Sequence, residues 1–374
     1  MSEEVYEHVF GLIIVGVIFA SVVFVMPNTS YVNLFYMDQQ QLRNIALKVL
    51  NAILLETGYP VNWGSQDPFN PSIVQSFGLA YADSSSFYLL DPDKVQRLVI
   101  ENPSGYLEYE KVRQLLGLQD YGFNLRIIPP FNVTVVDYSQ SEKNLKFDVA
   151  VTLNDEKPLP NAAVTALIVY SHFEGGSGED ERYSILQAQA QSVTDELGQC
   201  TISKVLTGEV SDVMVVFKIT AAGVGPVNIV FTDPPPDIAE INMINDTVLL
   251  THPKSTPNEN RWICDIAMFT EDGVLTLYDG TKNDTLNYGS NDLWSKNFRG
   301  LKSIDPVFLF LNVNAVEKGS GRKGTLTVGP YPNYKGSRVL HYGGTPMGDV
   351  VKLQRTVSIA DMDYILELML WKES

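Results

Sequence analysis

The chain has 374 residues, a formal net charge of −17, 45% apolar residues and 19% charged residues. That length holds two or three domains with sizeable cores, and the composition is that of a folded chain, not a disordered one. With no Lys/Arg cluster anywhere, the acidity excludes a nucleic-acid role, since phosphate binding needs a basic patch to displace counterions.

Residues 9–26, VFGLIIVGVIFASVVFVM, contain no charge. At 1.5 Å per residue they would reach about 27 Å, close to the hydrocarbon thickness of a bilayer. The flank MSEEVYEH is acidic, and Val25-Met26-Pro27 is not a small-residue cleavage site. An uncleaved transmembrane anchor over 1–27 is therefore expected, with a cleaved signal peptide or a buried core helix as the alternatives. No Lys or Arg flanks the span closely, so the positive-inside rule says little about direction. Long domains translocate regardless of charge, and N-x-S/T sequons stand at Asn28, Asn132, Asn245 and Asn283. Both favour an extracytoplasmic body on a single-pass cell-membrane protein, with those asparagines as candidate N-glycosylation sites.

An amphipathic helix is expected over 28–58. Leu42, Ile45, Ala46, Val49 and Ile53 recur at helix spacing, and Gly58 and Pro60 stop the run. A kink is expected at Pro27, between the two halves of one rod. Residues 59–130 read as a small turn-rich helical module. Asp91 is placed to cap a helix with Pro92 at its first position, a second helix covers 106–116, and a strand covers 121–128. Capping accounts for Asp91 and Asp93, and calcium is the alternative.

From 131 to 232 a series of strands (FNVTVVDYS, NLKFDVAVTLN, AAVTALIVYSHF, QCTISKVL, DVMVVFKITAAG) predicts an all-β sandwich. The acidic segment 174–182 reads as its longest loop, and TDPPPD at 232–237 as a stiff boundary. Residues 233–374 alternate short β-like runs with turns and form a C-terminal β-rich domain. They close on a strand, a turn at Ala360-Asp361 and a strand that is apolar on both faces, as a buried central strand would be.

Several segments carry a resemblance. LIIVGVIFASVVFVMP, LRNIALKVLNAILLETGYP, the block NWGS…FGLA…LDPDKVQRL…YEKVRQLLGLQDYGFNLRI and the closing RTVSIADMDYILELMLW together resemble the type IV pilin superfamily. The likeness is to the pilin-like and pseudopilin-like proteins of archaea in particular. The resemblance implies a hydrophobic half-helix, a kink and an amphipathic half-helix before a β-rich head, with the last strand in a sheet packed on the helix of residues 31–57. The chain lacks the basic residue and the helix glutamate of processed prepilins, so a permanently anchored pilin-like protein is expected. Envelope or secretion-complex proteins are its implied partners, besides the membrane itself through 9–26. NDEKPLPNAAVTALIVYS followed by SVTDELGQCTISKV is similar to bacterial immunoglobulin-like domains of the invasin and intimin type. That similarity puts Thr194, Asp195 and Gly198 in a turn that leads into a strand, a conformational role and not a chemical one.

No catalytic set emerges. His8, His172, His252 and His341 occupy separate contexts without HExxH spacing, and no GxSxG elbow is present. The segment 279–292 is rich in oxygen ligands, but Asp, Asn and Gly also dominate turns. Cys200 and Cys264 are a candidate disulfide in an oxidising compartment, with two buried thiols as the alternative. Tyr331, Tyr334 and Tyr342 are candidates for surface contact.

The expected fold is thus α+β and predominantly β, with a long N-terminal helix, a small helical module, an immunoglobulin-like sandwich and a pilin-like head. The expected role is a membrane-anchored, extracytoplasmic structural or assembly protein without catalysis, cofactor or metal. A cell-surface binding or adhesion protein is the alternative, and an extracytoplasmic hydrolase the remote one.

Overall fold

The structure, a computed structural model, describes residues 3–373 apart from 83–85, 101, 103, 142, 177–181, 222–223, 233–239, 252–259, 271–272, 280–284, 287–293, 302–307, 317–320, 333–338 and 361. Helix α1 spans Glu3–Leu55. Its second half is amphipathic: Leu42, Ala46, Val49, Leu50, Ile53 and Leu54 are buried, while Asp38, Arg43, Asn44, Lys48 and Asn51 are exposed. The chain leaves the helix through Gly58 at φ +73°, a left-handed turn that glycine takes without strain. The orphan carbonyls of the last turn are then used by the next segment. Leu79 N–H donates to Ile53 O at 2.9 Å and Ala80 N–H to Glu56 O at 3.1 Å. Gly78 makes this approach possible, since a Cβ there would lie 2.0 Å from Glu56 O.

The membrane anchor is corrected by the structure. Among the described residues no helix is long and apolar enough to cross a membrane. The described side chains in the first half of α1 are those of residues 10–21. A transmembrane half-helix, single-pass topology and insertion through 9–26 are thereby set aside.

Two short helices follow, α2 (Pro92–Gln96) and α3 (Tyr109–Leu115). As expected, Asp91 caps α2, its Oδ1 accepting from Asp93 N–H at 3.0 Å, and Pro92 supplies the first position. The described strands are β1 (Tyr121–Ile128), β2 (Phe131–Ser141), β3 (Asn144–Leu153), β4 (Ala163–Gly175), β5 (Arg182–Val193), β6 (Gln199–Val205), β7 (Val210–Ala221) and β8 (Val224–Thr232). Beyond residue 239 come β9 (Glu240–Ile244), β10 (Thr247–Thr251), β11 (Asn260–Thr270), β12 (Gly273–Asp279), β13 (Thr285–Leu286) and β14 (Trp294–Asn297). The last are β15 (Phe308–Val316), β16 (Gly321–Pro330), β17 (Leu340–Gly343), β18 (Val350–Ile359) and β19 (Met362–Lys372).

The strands form five sheets: I (β2-β3-β6), II (β5-β4-β7-β8), III (β12-β11-β15-β16, with β13 on β11), IV (β14-β10-β9) and V (β17-β1-β19-β18). The expected two-layer sandwich and separate head give way to a stack. Val164, Ala166, Ile168 and Tyr170 of β4 face sheet I, in one core with Phe147, Val149 and Ile202. Leu167 and Val169 of the same strand face the other way and share a core with Ala267, Phe269, Phe308 and Leu326 of sheet III. The opposite face of sheet III packs on sheet IV, where Ile263, Ile266, Met268 and Leu309 meet Ile241, Met243, Val248 and Leu250. Strand alternation alone produces this, because successive residues of β4 and β11 serve different layers. The order of layers is therefore I, II, III, IV. Sheet V lies on α1, with β19 central between β1 and β18; β19 also touches β8 of sheet II, and the core beneath α1 runs on into the one between sheets II and III.

Segments 177–181 and 233–239, most of the expected loop and of the proline-rich boundary, lie outside the described residues.

Candidate assembly interface

Sheet V is the seat of α1. Leu366, Leu368 and Leu370 of β19, with Leu125 and Ile127 of β1, lie in one buried core with Leu50, Ile53 and Leu54 of the helix. Tyr342 of β17 joins that unit to the segment before α3, its hydroxyl donating to Leu107 O at 2.9 Å. Burial raises the Tyr342 hydroxyl pKa well above its ordinary value, with Tyr109 and Glu108 adding to the effect, so it remains a donor. On the face of sheet V away from the helix, Glu367 is only 3% exposed. Lys352 Nζ lies 2.7 Å from Glu367 Oε1 and Arg126 Nη1 3.3 Å from Oε2, and Gln354 Nε2 also donates to it. Burial raises the Glu367 carboxyl, but the bonds from Lys352 and Gln354 and the charges of Lys352 and Arg126 outweigh it and hold the group below its usual value. Stability from this group is therefore present above the unfolded-state pKa, about 4.3, and lost as pH falls through the lower folded value. In urea titrations from pH 7 to pH 2, Glu367→Gln is expected to lose stability at neutral pH and to show a shallower fall in acid.

The first half of α1 behaves differently. Phe10, Leu12, Ile13, Ile14, Val15, Val17, Ile18 and Phe19 are between 45% and 73% exposed. At 100° per residue these positions encircle the helix, and no described element covers any side of it. An apolar surface of this extent marks an interaction site.

A second constellation fixes α2 to the stacked sheets. Asp93 is fully buried and accepts from Ser65 Oγ at 2.6 Å, Gln96 Nε2 at 3.1 Å and Tyr331 Oη at 3.0 Å. Asn245 N–H, in the β9–β10 turn, is 3.2 Å from Oδ1 and 3.1 Å from Oδ2. Arg97, also fully buried, donates to the carbonyls of Gly64, Gln66, Ser104 and Gly105 and stacks 4.6 Å from the centroid of Phe69. Burial lowers its guanidinium pKa to about 10, against the opposing charges of Asp93 and Asp67. Lys94 Nζ donates to Ala80 O at 2.8 Å and lies 3.7 Å from Asp91 Oδ2. These charges sit in α2 because each has partners supplied by distant chain.

The residues singled out by sequence do not form one site. Tyr331 and Tyr342 are each 2% exposed, so the surface aromatic cluster is corrected: both hydroxyls are satisfied internally, and Tyr334 lies outside the described residues. The disulfide is corrected as well. Cys200 is a buried free thiol in sheet I, whereas Cys264 belongs to β11 in sheet III and its side chain lies outside those described. Asn132 and Asn245 are exposed, while the Asn28 side chain and Asn283 fall outside the described set. His172 Nδ1 is 2.9 Å from Glu209 O and His341 is exposed on β17, whereas the His8 side chain and His252 are not described. Most of 279–292 is also outside.

Thr194, Asp195 and Gly198 form a turn. Thr194 Oγ1 donates to Leu159 O at 2.7 Å and accepts from Ala162 N–H at 2.8 Å. Asp195 Oδ1 accepts from the N–H groups of Leu197 and Gln199, both at 2.9 Å, and Gly198 has φ +71°. Beside it is a cavity of about 290 Å³ lined by Val136, Asp148, Asp195, Gln199, Cys200 and Thr201 among others. Burial raises the Cys200 thiol pKa, which leaves the nucleophilic thiolate scarce. Asp148 is engaged by Lys146 and Thr201.

Sequence reasoning missed the roles of Asp93, Arg97 and Glu367. The run LDPDKVQRL offers a short-range cap, and nothing local announces burial of its charges.

No protein-family model and no curated protein matches the chain. Among solved structures, trypsin-activated alpha-2-macroglobulin from Escherichia coli aligns at 10% identity and TM-score 0.20, over 61% of this chain and 18% of that one. A tetra-tandem repeat from the extending region of a large adhesion protein aligns at 14% identity and TM-score 0.19, over 61% and 52%. A DUF3823 family protein from Bacteroides ovatus ATCC 8483 aligns at 10% identity and TM-score 0.15, over 48% and 96%. This chain spans about half or less of the length of the first two. Likeness at these TM-scores carries no argument about fold or role.

Proposed function

We propose that the chain is a non-catalytic, pilin-like structural subunit acting outside the cytoplasm, and that it assembles through the first half of α1. One observation supports this reading. Residues 42–54 of α1 are bedded on sheet V, while residues 10–21 carry apolar side chains on every side. A rigidly seated helix that ends in an apolar projection is a means of joining subunits. Because the apolar surface encircles the helix, one partner helix cannot cover it, and several helices from neighbouring subunits can.

The test replaces Leu12 or Phe19 by glutamate in the full chain and follows the mass distribution by light scattering. Each apolar side chain buried in such a contact contributes about 1.5–3 kcal/mol, so each substitution is expected to weaken association at least about tenfold. Assemblies of unchanged mass and affinity would defeat the proposal. So would association only with lipid vesicles and never between chains.

A further inference from the structure

We propose that β18 pairs edge to edge with β18 of a second copy of this chain, about a two-fold axis at Lys352, joining two copies of sheet V into one eight-stranded sheet. The surface is separate from the first half of α1 and does not depend on the role given to that segment. Strand β18 is the outer strand of sheet V and pairs over its whole length with β19. On its other side, the described backbone partners begin only at Ser358, which donates to Tyr88 O at 3.0 Å and accepts from Leu90 N–H at 2.9 Å. Gln354 O accepts from Arg355 Nη1 at 2.8 Å, a side-chain contact that edge pairing exchanges for a strand hydrogen bond. Ser358 thus points its backbone groups outward. By strand alternation so do Val350, Lys352, Gln354 and Thr356, four residues whose N–H and C=O groups line an open edge. Val350, Lys352, Gln354, Arg355 and Thr356 are exposed.

Natural edges are blunted by charge, and Lys352 and Arg355 would ordinarily do that here. Lys352, however, is neutralised within its own subunit, 2.7 Å from Glu367. The antiparallel register that sets Lys352 opposite itself also sets Asp349 opposite the second copy's Arg355, and the symmetry repeats that pair. In the same register Val351 meets the second copy's Leu353. Both of these facing pairs fall at non-hydrogen-bonded positions, where side chains approach most closely. Val351 and Leu353 are only partly buried and already flank the core beneath α1, so the pairing extends that core. Moving the partner by two residues either way places Arg355 against Val351 or Met347 and loses both charge pairs. The edge therefore fits a copy of itself in one register, as an isologous interface requires.

The experiment uses the full chain carrying Leu12→Glu, so that association through α1 does not contribute. Lys352→Cys is expected to form an inter-chain disulfide on mild oxidation, since facing residues of a hydrogen-bonded pair have Cα atoms about 5.5 Å apart, within disulfide range. Gln354→Cys, which faces Val350 in this register, is expected not to. Sedimentation is expected to show dimers weakened at least about tenfold by Asp349→Arg or Arg355→Asp alone and restored to within about threefold by the two together. Equal cross-linking at 352 and 354, single reversals without effect, or a chain that stays monomeric at every concentration would each overturn the proposal. None of these outcomes would touch the α1 reading, which is read from the chain with Leu12 intact.

Discussion

Asp93→Ala is expected to lower the unfolding free energy by about 3–5 kcal/mol. The carboxylate is fully buried and accepts from Ser65, Gln96, Asn245 and Tyr331. Its removal takes this acceptor from the buried Tyr331 hydroxyl and Gln96 amide, and leaves Arg97 without the larger of its two opposing charges. Asp93→Asn keeps the shape and some acceptor capacity, so its expected cost is smaller, about 2 kcal/mol. Urea unfolding checks both. A lowered midpoint at constant slope reports the loss of stability, while a lowered slope or a split transition reports that α2 has released sheets III and IV. An Asp93→Ala chain as stable as the parent would show that the distant donors find other partners, and the joint would then lie elsewhere.

Leu368→Ala is expected to cost about 2–5 kcal/mol, toward the upper end because the site cannot collapse. Leu368 is fully buried in the central strand of sheet V, with Leu125 of β1 and Leu353 of β18 as its cross-strand partners and α1 on its face. The loss is expected to loosen the seat of the helix specifically. Hydrogen exchange should therefore rise across residues 42–54 while β4 and β7, in a different layer, stay protected. Uniform exchange across both regions would instead mean that sheet V and the stack unfold as one.

Several elements were legible in the residues because their signals are local. The buried stripe of α1 from Leu42 to Leu54 follows a 3.6-residue period, and Asp91-Pro92 marks a helix start. The β18–β19 hairpin turns at Ala360, with φ +48°, as the break between two apolar runs suggested. The stack was less legible, though it left a trace. Residues 166–170 (ALIVY) and 214–217 (MVVF) are apolar at every position, the mark of a strand buried on both faces. A two-layer sandwich needs only alternation, and these continuous runs signal a further layer. The span over 9–26 was inferred from composition alone, and composition measures hydrophobicity without saying what covers it.

The sequence by itself determined the start of α2, strands β1 to β4, β6 and β7, where α1 turns amphipathic and the stop at Gly58, because each depends on periodicity or on one residue's backbone freedom; β5 and β8 were not among the strands it marked. Only the tertiary structure decided that Tyr331 and Tyr342 are buried, that Cys200 and Cys264 belong to different sheets and that Asp93 joins distant parts of the chain. The physical reason is separation. Asp93 meets Asn245 across 152 residues and Tyr331 across 238. A buried charge is tolerated only where such partners converge, and convergence is a property of the packed layers that no window along the chain contains.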